Sequence, residues 1–183
     1  DFQKSILLEL STGDQVWGFT GIFGSTVIGQ GTGAEFVNKP LSLDVDYQGN
    51  LYYTQTGDYF PVHMIIPNFS GDYTTYSSGF DQLIDDIMDS TLFSNPMDVA
   101  VDKDRNIYVV DSTKGDVSVF NTNGKFFKKA GYASKEDTVS IMNEPVAVTV
   151  DQRGVVYVCD QGDGAIYRFK LSNSLDEDLK PED

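Results

Sequence analysis

PMDVAVDKDRNIYVVD, residues 96–111, decides the fold, because two other stretches of the chain lie over it without a gap. These are PLSLDVDYQGNLYYTQ at 40–55 and PVAVTVDQRGVVYVCD at 145–160. Six residues after the leading Pro40, Pro96 and Pro145 stands an aspartate, Asp46, Asp102 and Asp151, and six further on a tyrosine, Tyr52, Tyr108 and Tyr157. Three beyond that come Gln55, Asp111 and Asp160, and nine beyond those Met64, Phe120 and Phe169. The second and third copies keep every landmark and the first changes two, a spacing that marks an internal repeat in which each copy is one supersecondary unit.

Alternation and turn chemistry show what that unit is. In the middle copy, Met97 to Asp102 reads as a first strand and Asp102-Lys103-Asp104-Arg105-Asn106 as a tight turn. The other copies place Gly49-Asn50 and Gly154 in that turn, where a residue with positive φ is often required. Ile107 to Asp111, rich in β-branched and aromatic residues, is a second strand. Ser112 to Gly115 turns the chain into a third strand, Asp116 to Phe120, and Asn123-Gly124 turns it again into Lys125 to Ala130. Four antiparallel strands in about 40 to 45 residues make one propeller blade.

The linkers echo one another as well: Phe36 to Pro40, Phe93 to Pro96 and Met142 to Pro145 each carry a large apolar residue shortly before the proline, placed to plug the gap between neighbouring blades. The connection over 68–95 is longer. Within it Phe80, Leu83, Ile84, Ile87 and Thr91 recur at helical spacing, which predicts a short helix packed on a blade edge, with Asp81, Asp85, Asp86 and Asp89 on its solvated face.

The arrangement P-x5-D-x5-Y-x2-D-x8-F, with VD-x-x-G-N-x-Y at its heart, resembles the NHL repeat over about residues 20 to 172, and most specifically over 96–131 and 145–172. The resemblance implies an all-β fold, a β-propeller of NHL type with four-stranded antiparallel blades, most such rings having six. Here Ser5–Gly24 matches only the last two strands of a blade, and the final copy stops after its third strand. The expected organisation is a partial blade at 1–24, blades at 25–79 and 80–131, a blade at 132–172 lacking its last strand, and an acidic tail or linker at 173–183 that should be exposed and loosely ordered. The chain is thus read as part of a larger or six-bladed ring, completed by more blades of the same protein or by another subunit.

Composition limits what such a scaffold does. The 183 residues are 40% hydrophobic and 13% aromatic, enough for a real core, while 13 basic against 28 acidic side chains leave a net charge of −15. Nucleic acid is excluded as a partner, because its affinity comes largely from Lys and Arg displacing counterions, so the RNA binding of some NHL proteins with basic faces does not carry over. One cysteine, Cys159, leaves no intrachain disulfide and no Cys-built zinc site. One histidine, His63, argues against the histidine-bound zinc of the amidating lyases among related propellers. No 18-residue apolar run marks a membrane span. Acidic, Tyr- and Thr-rich β repeats without disulfides fit an extracytoplasmic protein: periplasmic, surface-bound or secreted from a bacterium.

Candidate chemistry meets a blander reading at each point. Asp102 to Asn106 opens like an EF-hand loop, yet Ile107 stands where that loop needs glycine and Thr113 where it needs glutamate, which leaves a β-turn. Asp160-Gln161-Gly162-Asp163-Gly164 is likewise a strand connection, and Cys159, inside a β run, a small buried hydrophobe. Asn68-Phe69-Ser70 is a glycosylation sequon, of consequence only in a eukaryotic secretory pathway. Tyr52, Tyr108 and Tyr157 are assigned to packing between blades. Asp111 and Asp160 end equivalent strands, where they either line one propeller face or accept hydrogen bonds from turn amides. The connections from second to third strand and into the next blade emerge on one side, gathering Asp58-Tyr59-Phe60, Ser112-Thr113-Lys114 and Gln161-Gly162-Asp163. Loops that differ while the strands repeat predict a non-catalytic scaffold for a protein or peptide partner, with no metal and no cofactor. Its candidate binding residues are Tyr59, Phe60, Lys114, Asp111, Asp160 and Asp163, the two aromatics as anchors. The competing class is a propeller enzyme of lactonase or hydrolase type, whose acidic metal ligands would converge from several blades.

Overall fold

The computed structural model describes residues 39–56, 62–65, 92–132 and 139–170. Ten strands run through them: β1 (Pro40–Val45), β2 (Leu51–Gln55), β3 (Val62–Ile65), β4 (Pro96–Val101), β5 (Ile107–Asp111), β6 (Asp116–Phe120), β7 (Phe126–Ala130), β8 (Pro145–Val150), β9 (Val155–Asp160) and β10 (Ala165–Lys170). They form three antiparallel sheets in chain order, β1-β2-β3, β4-β5-β6-β7 and β8-β9-β10. The predicted strands at 107–111 and 116–120 stand as expected, while the first and fourth begin or end one residue away, at Pro96–Val101 and Phe126–Ala130. The predicted helix over 80–91, the partial blade at 5–24, the sequon and the acidic tail lie outside the described residues.

Every first strand opens with the same irregularity, a register shift between the proline and the second residue after it, at Pro40/Ser42, Pro96/Asp98 and Pro145/Ala147. Proline has no N–H to give the ladder, and a bulge at the strand's start accommodates that loss. The first hairpin turn is also shared. Its residue with positive φ is Gly49 at 84°, Arg105 at 65° and Gly154 at 78°. Two copies solve the left-handed position with glycine, as predicted. The middle one tolerates arginine, whose guanidinium reaches across to Asp46 of the first sheet at 2.9 Å.

The sheets stack face to face. One apolar layer joins the first and second sheets through Tyr52, Val62 and Met64 on one side and Val99, Ile107, Val109 and Phe120 on the other, with Phe93 of the linker between them as predicted. A second layer joins Ala100, Tyr108, Val110, Val117 and Val119 to Val148, Val156, Val158 and Phe169, with the linker's Met142 filling in. The middle sheet is covered on both faces, so β5 and β6 are buried throughout and read as unbroken apolar runs. Carboxylates of the first strands lace the stack together. Asp44 of β1 accepts the Val101 amide of β4 at 2.7 Å, and Asp98 of β4 accepts the Val148 amide of β8 at 2.8 Å and the Ser42 hydroxyl.

Two expectations need correction at the last sheet. Cys159 is exposed rather than buried, and Tyr157 is only half-buried. Their equivalents in the middle sheet, Val110 and Tyr108, are sealed by the sheet that follows, and no described sheet follows β8-β9-β10.

Candidate functional site

The repeat gives each sheet two ends; aspartate organises the hairpin end in all three and the opposite end in the second and third, where the first has Gln55. At the β1–β2 type of hairpin, Asp102 Oδ1 accepts the amides of Asp104 and Asn106 at 2.8 Å each, while Oδ2 accepts the Asn106 side-chain amide at 2.7 Å and the Tyr108 hydroxyl at 3.0 Å. Asp46 does the same with Gln48, Asn50 and Tyr52. This is an Asx-type turn closed by a buried tyrosine. Burial pushes the Asp46 carboxyl up, but the hydrogen bonds from Asn50, Gln48 and Tyr52 together outweigh it and hold the group below its usual range. Burial, reinforced by the Asp102 charge, raises the Tyr108 phenol far above its ordinary value. In the third copy Asp151 keeps the amides of Arg153 and Val155 but pairs with the exposed Arg153 guanidinium in place of an asparagine. Tyr52 and Tyr108 therefore do more than pack, as acceptor-bound hydroxyls of the turn.

At the opposite end the candidate residues gather. Asp111 is fully buried, and its Oδ2 accepts the linker amides of Ser94 at 2.5 Å and Asn95 at 3.0 Å, while Oδ1 accepts those of Thr113 and Lys114 at 3.0 Å each. Asp160 repeats this with Asn143, Glu144 and Asp163. Both carboxylates thus fasten the β5–β6 type of connection to the linker that enters the same sheet. The backbone ties Ser112 to Asn95 and Gln161 to Glu144 complete each clasp. Lys114 donates to the Leu92 carbonyl at 2.5 Å, and Asp163, exposed at the loop tip, accepts the Tyr167 hydroxyl at 2.8 Å. Tyr59 and Phe60 lie outside the described residues. The predicted convergence of strand connections and linkers on one end is what these bonds record.

The link from the middle to the last sheet is pinned at the same end. The Ser140 hydroxyl donates toward the carbonyls of Gly131, at 2.8 Å, and Gly115, and its oxygen accepts the Met142 amide at 3.0 Å. Gly115 has φ of +68°, and a β-carbon there would lie 2.7 Å from the Met142 carbonyl oxygen, so the close crossing depends on glycine. Close by, Asp116 Oδ2 accepts Lys129 at 2.5 Å and the Tyr132 hydroxyl at 2.9 Å. Burial first, then the Asp116 charge, pushes the Tyr132 phenol up to about 12.

Residues 102–106 connect β4 to β5, and residues 160–164 connect β9 to β10. Among the described residues no three His, Cys, Asp or Glu side chains are grouped to hold a metal ion, and no helix is long and apolar enough to cross a membrane.

Three consecutive antiparallel sheets, stacked in chain order and laced through their first strands, define an all-β, propeller-like repeat protein. No family model and no curated protein matches the chain. Among solved structures it is similar to PorZ, an essential surface component of the type-IX secretion system of Porphyromonas gingivalis, at 14% identity and a TM-score of 0.48, over 69% of this chain and 17% of that one. It is also similar to virginiamycin B lyase from Staphylococcus aureus, at 15% identity and a TM-score of 0.42, over 76% of this chain and 44% of the lyase. A streptogramin B lyase follows at 14% identity and a TM-score of 0.41, over 75% and 42%. The chain spans less than half the length of each of these proteins.

Proposed function

We propose that this chain is part of an NHL-type β-propeller and serves as a non-catalytic scaffold, located outside the cytoplasm, that takes a protein or peptide partner on the loop end of its blades. The observation that carries the reading is the pair of clasps made by Asp111 and Asp160. Each spends a carboxylate on holding two backbone segments in place, so the acids at this end build the platform. The tips left exposed, Thr113 in one copy and Gln161 and Asp163 in the other, differ from copy to copy. A rigid frame with variable tips binds with little ordering cost.

The test is recovery of partners from extracts of the source cells. The chain is compared with a Thr113→Arg/Asp163→Arg variant and with a Tyr59→Ala/Phe60→Ala variant, all shown to be folded by circular dichroism. A specific partner recovered with the unaltered chain and lost with either variant is the expected result. Recovery unchanged by both variants overturns the loop-end assignment, and chelator-sensitive hydrolysis of a lactone or ester would replace the scaffold with an enzyme.

A further inference from the structure

Among the described residues the outer sheets each leave one face open, and the repeat says what those faces are for. On the last sheet the open face carries Ile166, 71% exposed, together with Cys159, Thr149 and the half-buried Tyr157. In the middle sheet the equivalent positions are Val117, Val110, Ala100 and Tyr108, all buried against the sheet that follows. On the first sheet the open face carries Leu41, Leu43 and Val45, with Leu43 65% exposed. The equivalents of Leu43 and Val45 are Val99 and Val101, which pack against the sheet that precedes. One chain therefore displays both halves of a joint that it already makes twice between its own sheets: a face built to receive a next sheet and a face built to be received.

We propose that the open face of β8-β9-β10 receives the open face of β1-β2-β3 from a second copy of this chain, head to tail. The contact continues the internal stack by one further step, with Leu43 of one copy placed against the third sheet of the other as Val148 is placed against the second. The receiving face also carries the exposed cations Arg168, where the middle sheet has the buried Val119, and Lys170. Neither Ala147 nor Thr149 can supply the carboxylate that Asp44 and Asp98 give to the other two joints, so this joint rests on apolar burial and is the weakest of the three. A head-to-tail contact either closes a ring or runs on into a series. The joint lies on the flanks of the sheets, away from the loop end, so it and the loop-end reading can fail independently.

Light scattering on the purified chain tests it, through Leu43→Asp and Ile166→Asp. Both side chains are exposed in the single chain, so both variants are expected to fold, with circular dichroism as the check. The unaltered chain is expected to exceed the mass of one 20.2 kDa chain at micromolar concentrations. Each variant alone is expected to weaken association at least about tenfold, the factor that 1.4 kcal/mol gives. Mixing the two leaves one intact face of each kind, and a one-to-one pair should return. A strictly monomeric chain, a variant that associates as well as the original, or a mixture that stays monomeric overturns the proposal.

Discussion

Replacing Asp102 by alanine should cost the fold about 3 kcal/mol, far more than replacing its counterpart Asp151. The Asp102 carboxylate serves four donors: two turn amides, the Asn106 side chain and the hydroxyl of Tyr108, whose ring is fully buried. A hydrogen bond to a charged group contributes about 1.5–3 kcal/mol, and a buried donor left without an acceptor costs about 1–3 kcal/mol. The turn amides and the Asn106 side chain can regain water when the carboxylate goes, so their share is partial. The Tyr108 hydroxyl cannot without opening the layer between the second and third sheets, and it supplies most of the loss. Asp151 serves two turn amides and the exposed Arg153, with no buried hydroxyl among its donors, so water replaces it readily. Equilibrium unfolding in urea, followed by circular dichroism, gives both values on the same scale. A loss for Asp151→Ala equal to or larger than that for Asp102→Ala would show that the buried tyrosine is not what the carboxylate supports, and would refute the reasoning.

Gly115→Ala should destabilise by about 2–3 kcal/mol, because it adds the Met142 contact to an unfavourable φ. Gly164→Ala, at φ of +62° in open space, should cost only about 1 kcal/mol in the same urea assay. Asp46 is held below its unfolded value, so its contribution is complete above about pH 4 and is lost as the pH falls through the folded value. An Asp46→Asn variant should accordingly show a flatter fall in urea midpoint between about pH 5 and 2.5. Tyr132 keeps its proton to about 12 in the folded chain and to about 10 unfolded, so its contribution is complete below about pH 10 and declines from there upward. Phenolate absorbance should rise in two stages across that range, and Tyr132→Phe should diminish the later one.

The strands were legible because their signal is local: alternation, a turn residue at the left-handed position and a proline at each start lie within the sixteen-residue stretch itself. The turn acceptors were legible in principle, since Asp46 and Asp102 are each followed four residues later by asparagine and six later by tyrosine. Burial at Cys159 was not legible, because a residue in a β run is covered by what stacks on its sheet, and that neighbour is not encoded in the run. The lacing carboxylates were hidden for another reason. Asp44 stands four residues after its proline and Asp98 two after its own, so an alignment of the copies separates two groups that do the same work. Of the candidate site, the convergence of loops followed from strand order, whereas the fact that Asp111 and Asp160 face inward to the linkers depended on where those linkers run.

The acidity of the chain also changes meaning once the acids are placed. Asp46, Asp102, Asp111, Asp116 and Asp160 are buried, and each accepts hydrogen bonds from amides, hydroxyls or cations within the sheets. A carboxylate so used still adds to the long-range field that repels polyanions. It offers nothing, however, to a basic ligand at contact distance, because its surface is covered. At the loop end the surface is made of amide, hydroxyl and backbone groups around a few exposed charges such as Asp163 and Glu144. If the loop end takes a partner as proposed, hydrogen bonding and shape would select it more than opposite charge, so binding there should persist at salt concentrations that abolish purely ionic attachment.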